Sequence, residues 1–125
     1  MAKKRVLVID DEEDYLKITK LNLEETNNYE VMILPNAKDV ISRVHSFKPD
    51  IILLDMLMPV VGGVDVCEML NNDQLGARIP IIIISALEKD EDKLKAYRVG
   101  VTDYIIKPTG KNELIAKIEK ALKFQ

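Results

Sequence analysis

Apolar residues recur along this chain in five short blocks rich in β-branched side chains. They are RVLVID (5–10), EVMIL (30–34), DIILLD (50–55), PIIIIS (80–85) and DYIIK (103–107). Three are near-continuous Val/Ile/Leu runs without in–out alternation, which is how parallel strands covered on both faces read. Between the blocks, apolar positions follow helical spacing. Segment 11–25 sets Tyr15 with Ile18, and Leu16 with Leu23, on one broad stripe. Segment 37–47 carries Ala37, Val40, Ile41 and Val44, with Asn36 as a candidate cap. Val66 and Leu70 mark a helix over 64–72, and Leu94 and Tyr97 another over 89–99. Segment 111–123 has Leu114, Ile115, Ile118 and Leu122, with Lys117, Lys120 and Lys123 on the wet side. Punctuation agrees: Pro49 and Pro80 precede strands, Gly62-Gly63 opens the third helix, and Gly100 falls where a helix C′ glycine belongs. Strand–helix alternation five times over, with right-handed crossovers, predicts a doubly wound α/β domain.

Composition narrows the function classes. The 125 residues read as one domain, 1–125, without repeats, low-complexity segments or a linker. Hydrophobic residues make up 47% and charged residues 31%, the profile of a globular chain. A net charge of -3, from 18 basic and 21 acidic residues, gives no basic footprint, so neither nucleic acid nor a membrane surface is expected as a partner. One cysteine, Cys67, cannot form an internal disulfide, and a reducing, cytoplasmic setting is the simplest expectation. The apolar run Val6 to Ile9 is too short for a signal peptide or a span.

The chemistry sits where the strands end. Strand one ends in Asp10-Asp11, strand three in Asp55, strand four in Ser85 and strand five in Lys107, whereas strand two ends in Leu34. Singly, each has an ordinary role as a cap, a turn residue or a solvated charge. Jointly they converge, because ligands of doubly wound sheets sit beyond the carboxyl ends of the strands. Three carboxylates against one ammonium must raise a pKa or take up a cation. Oxygen ligands without His or Cys select a hard ion, Mg²⁺ or Mn²⁺. Because Mg²⁺ usually keeps waters and a phosphate oxygen in its shell, such a site suits a phosphoryl group. Asp55 is then the candidate nucleophile, and Lys107 and the Ser85 hydroxyl would hold the remaining phosphoryl oxygens.

The stretches VLVIDDEED, PDIILLDMLMP, PIIIISA and VGVTDYIIKP, in this order and at these spacings, resemble the receiver domain of two-component response regulators, of a chemotaxis-regulator-like kind. The resemblance runs from Lys4 to Leu122. It implies a flavodoxin-like (βα)5 fold with a five-stranded parallel sheet in the order 2-1-3-4-5. It implies Asp55 as phosphoacceptor, with Mg²⁺ held by Asp10, Asp11, Asp55 and the backbone carbonyl of Leu57. It implies Lys107 as the phosphate-binding lysine, Ser85 and Tyr104 as the switch pair, and Pro108 as a proline often preceded by a cis bond. The partners implied are a histidine kinase or phosphotransfer protein as donor, and a downstream protein target or an output domain. In this family the receiver is a signalling switch and not a conventional enzyme, although it catalyses its own phosphoryl transfer and loss. The surface of the fourth helix, fifth strand and fifth helix changes shape on phosphorylation.

Leu57 and Leu87 occupy the positions that tune phosphoryl lifetime in the family, and two apolar side chains there imply slow autodephosphorylation. The single histidine, His45, is expected at the surface and away from any metal, so a phosphohistidine must come from another protein. Cys67 is expected as a small buried apolar residue, and 88–92 as a solvated helix start. A flavin module would need a Ser/Thr/Gly-rich loop where DDEED stands, and a haloacid-dehalogenase-type phosphatase would need Asp-x-Asp after the first strand. The remaining alternative is a receiver-like interaction module that works without phosphorylation.

Overall fold

A computed structural model describes residues 2–124; Met1 and Gln125, the two ends of the predicted 1–125 domain, lie outside them. Five strands, β1 (Lys4–Ile9), β2 (Tyr29–Leu34), β3 (Ile51–Leu54), β4 (Ile81–Ser85) and β5 (Asp103–Ile106), alternate with five helices. These are α1 (Glu13–Glu24), α2 (Val40–Phe47), α3 (Gly63–Asn71), α4 (Asp90–Arg98) and α5 (Lys111–Lys123), with a 3₁₀ turn at Gly76–Arg78. All pairings are parallel and the order is β2-β1-β3-β4-β5, a flavodoxin-like sheet. No helix among the described residues is long and apolar enough to cross a membrane.

The continuous apolar runs have the predicted cause. Every residue of β3 and β4 is buried. Leu7, Ile9, Ile52, Leu54, Ile81 and Ile83 face one layer, against Val40 and Val44 of α2 and Val66, Cys67 and Leu70 of α3. The intervening Val6, Val8, Ile51, Leu53, Ile82 and Ile84 face the other, against Leu16 and Leu23 of α1 and Leu114 and Ile118 of α5. Alternate side chains therefore load both faces, and a one-residue slip would exchange the two cores wholesale.

Three helical expectations need correction. Ile18 is 58% exposed, because α1 buries Leu16, Thr19 and Leu23, and Ile18 lies about 200° round the helix from Leu16. The inward place between the leucines is taken by Thr19. In α4, Leu94 and Tyr97 are half exposed and Ala96 alone is fully buried, so the small residue brings the helix onto the sheet and turns the larger ones out. Asn36 does not cap α2, which starts at Val40; its Oδ1 accepts from the Lys38 amide at 2.9 Å in a turn that precedes the helix. Gly100 has a φ of 90° just beyond α4, as its C′ position requires.

Denaturant unfolding will separate the core from the misassigned face. Ile83→Ala, in the middle of β4, is expected to lose about 2–5 kcal/mol. Ile18→Ala is expected to change stability by less than about 0.5 kcal/mol.

Candidate functional site

The sheet ladder runs one residue past the ends of β1, β3 and β5 and fixes the site through the backbone. The Asp10 amide donates to Leu34 O (3.1 Å), the Asp55 amide to Ile9 O (3.0 Å) and the Lys107 amide to Ser85 O (2.9 Å). With Ile9 opposite Leu54 and Ser85 opposite Ile106, the functional residues reach the rim in register. At that rim Asp10, Asp11 and Asp55 offer carboxylate oxygens that lie within 4.8 Å of one another. Asp11, Asp55, Leu57, Ser85 and Lys107 line one cleft of about 230 Å³, together with Glu12, Ala86 and Leu87. This is below the usual range for small-molecule pockets.

Burial makes the charges costly. Asp10 and Asp55 are 1% and 6% exposed, and Ser85 is fully buried. Burial pushes the Asp55 carboxyl above its ordinary pKa, and the neighbouring Asp10 charge adds to the rise. The Lys107 ammonium, the Leu57 amide and the Ser85 hydroxyl oppose it without cancelling it. The Leu57 amide donates to Asp55 Oδ1 at 3.3 Å. Lys107 Nζ stands 3.7 Å from Asp55 Oδ2 and 2.7 Å from Asp10 Oδ2. Burial alone would lower the lysine pKa, but its carboxylate partners outweigh this and hold the ammonium charged. The all-oxygen donor set, of which two members are desolvated, fits a hard divalent cation.

Ser85 and Tyr104 are joined through one residue. The Leu87 amide donates to Ser85 Oγ at 3.3 Å, and the buried Tyr104 donates its hydroxyl to Leu87 O at 2.8 Å. The Lys107–Pro108 peptide is cis. His45 lies on the surface, 2.9 Å from Asp73 and outside the cleft. Cys67 is fully buried, and burial pushes its thiol up to about 12, so it is inert.

Three participants escape the sequence pattern. Glu12 Oε1 lies 2.8 Å from Lys107 Nζ. The Tyr15 ring lies under the same ammonium, 4.4 Å from its centroid. Gly63 abuts the backbone of Asp55 and Met56: a Cβ there would fall 2.7 Å from Asp55 O, so α3 starts against the main chain that carries Asp55. The DDEED run could have flagged Glu12 as a rim residue, but no spacing rule marks which cation an exposed glutamate reaches.

A family model described as the response regulator receiver domain matches residues 6–119. The chain belongs to that receiver-domain family. Among relatives, the receiver is 31% identical over 96% of its length to the alkaline phosphatase synthesis transcriptional regulatory protein PhoP of Bacillus subtilis, covering 49% of that protein. It is 32% identical over 98% of its length to the phosphate regulon transcriptional regulatory protein PhoB of Pseudomonas aeruginosa, covering 53%. The chain thus spans about half the length of these curated relatives. A two-component response regulator from Clostridium difficile superposes with a TM-score of 0.89 at 27% identity, with 97% of each chain covered. Chemotaxis protein CheY4 of Vibrio cholerae, at 22% identity, shares the fold with a TM-score of 0.90 over 96% of this chain and 99% of that one.

The receiver carries a buried carboxylate whose folded-state pKa is raised, so the folded protein takes up its proton at higher pH than the unfolded chain does. The destabilisation by ionised Asp55 is present above that raised pKa and is relieved as pH falls through it. In metal-free buffer, Asp55→Asn should therefore melt above wild type at neutral pH. The gap should close as pH falls towards the ordinary carboxylate range; thermal melts of both proteins across pH check this.

Proposed function

We propose that this receiver accepts a phosphoryl group onto Asp55 from the phosphohistidine of a histidine kinase or phosphotransfer protein. The observation that carries the proposal is the meeting of three carboxylates within 4.8 Å with the Lys107 ammonium at the rim. Asp11, Asp55 and the Leu57 carbonyl are the direct ligands proposed for Mg²⁺ (Mn²⁺ as a substitute), with Asp10 as the acidic neighbour. When bound, the ion neutralises the clustered carboxylates and withdraws charge from the phosphoryl oxygens.

An Asp55 carboxylate oxygen attacks phosphorus and an O–P bond forms. The donor's N–P bond breaks, and its electron pair remains on the imidazole nitrogen. Lys107 and the Ser85 hydroxyl hold oxygens of the transferred group as its charge develops. Bonding of that dianion to Ser85 favours one arrangement of Ser85, Leu87 and Tyr104, and hence one shape of the α4–β5–α5 surface. A downstream protein, or an output domain such as the half-covered curated relatives have room for, would read this surface. The proposed setting is the cytoplasm, where phosphohistidine donors operate.

Leu57 is 66% exposed at the mouth of the cleft, and neither Leu57 nor Leu87 offers a side-chain hydrogen bond to an attacking water. Hydrolysis of the acyl phosphate is accordingly slow. Two outcomes are expected. Incubated with acetyl phosphate and Mg²⁺, wild type gains one phosphate by intact mass and Asp55→Asn gains none; incorporation by the variant would overturn the assignment. Leu57→Asn, which places an amide over the cleft, should shorten the phosphoryl half-life several-fold in the same assay.

A further inference from the structure

The Lys107 ammonium has three N–H donors, and two are already committed. One goes to Asp10 Oδ2 at 2.7 Å and one to Glu12 Oε1 at 2.8 Å. Asp55 Oδ2, at 3.7 Å, is within ion-pair range but too far for a hydrogen bond. On another side the Tyr15 ring fills the space at 4.4 Å. The lysine that should serve a group on Asp55 is thus drawn towards the β1–α1 loop with one N–H uncommitted, and a second bond to that group requires one of these two contacts to be given up.

The two bonds are not equivalent. The Asp10 side chain is 2% exposed, and its second oxygen already accepts the Glu12 amide at 2.9 Å. Releasing it would leave a buried carboxylate short of a partner. The Glu12 side chain is 64% exposed and passes into water with little loss. We infer that Glu12 is a positioning residue, an exchangeable counter-ion that parks Lys107 away from Asp55 and yields its N–H to the phosphoryl oxygens. This rests on Asp55 as phosphoacceptor. Because Glu12 competes with the dianion for the same ammonium, Glu12 opposes loading of the site while keeping the lysine oriented beside it.

Glu12→Gln keeps the size and removes the charge, and two measurements test the inference. In metal-free protein with ¹⁵N-labelled lysine, the variant should shift the Lys107 ammonium resonance and leave the melting temperature unchanged. An unmoved resonance overturns the Glu12 contact, whatever Asp55 does. At saturating Mg²⁺, beryllofluoride should bind Glu12→Gln up to about fivefold more tightly than wild type, the factor for an exposed ion pair. Equal affinities overturn the role of Glu12. Wild type that fails to bind beryllofluoride overturns the phosphoacceptor proposal itself.

Discussion

Everything at the rim depends on an ionised carboxylate held at the end of a buried strand. Asp55 follows four fully buried residues of β3 and is itself 6% exposed, beside an equally buried Asp10. Two desolvated like charges would not stay together on geometry alone; Lys107 Nζ, at 2.7 Å from one and 3.7 Å from the other, is the cation that makes the pairing tolerable. The cost that remains appears as the raised pKa of Asp55. A clustered, partly desolvated set of carboxylates of this kind suits a further positive charge.

The topology delivers these groups, and most of it was legible beforehand. A sheet in the order β2-β1-β3-β4-β5 sets β1 and β3 side by side, so the residues after Ile9 and Leu54 become neighbours without any long side chain reaching across. Continuous apolar runs could reveal this because burial on both faces leaves its mark on every residue of a strand. Helical faces were harder to read. Thr19 occupies an inward position that its hydroxyl disguises, and Ala96 gives α4 a close approach that hydrophobicity alone assigns to Leu94 and Tyr97. Glu12 and Tyr15 were opaque for another reason. Their partner Lys107 is 95 residues away from Glu12 in sequence, and only the folded chain shows which of several exposed acids lies within reach.

Gly63 shows how the scaffold is tied to the chemistry. Its missing side chain lets α3 start in contact with the main chain at Asp55 and Met56, and its amide bonds Met56 O at 2.9 Å. The loop between β3 and α3 is thereby closed on itself, which keeps Leu57 over the cleft. Within that loop Val60 adopts a φ of 68°, a costly conformation for a β-branched residue, and one that a loop braced at both ends can impose.

Leu87 meets its neighbours through its main chain: its N–H faces the serine and its C=O faces the tyrosine. Any residue supplies those two groups, proline apart from the first. The side chain is therefore tied to neither bond and is free to vary where it lines the cleft. A substitution at this position can therefore remodel the cleft lining while both main-chain bonds stay in place.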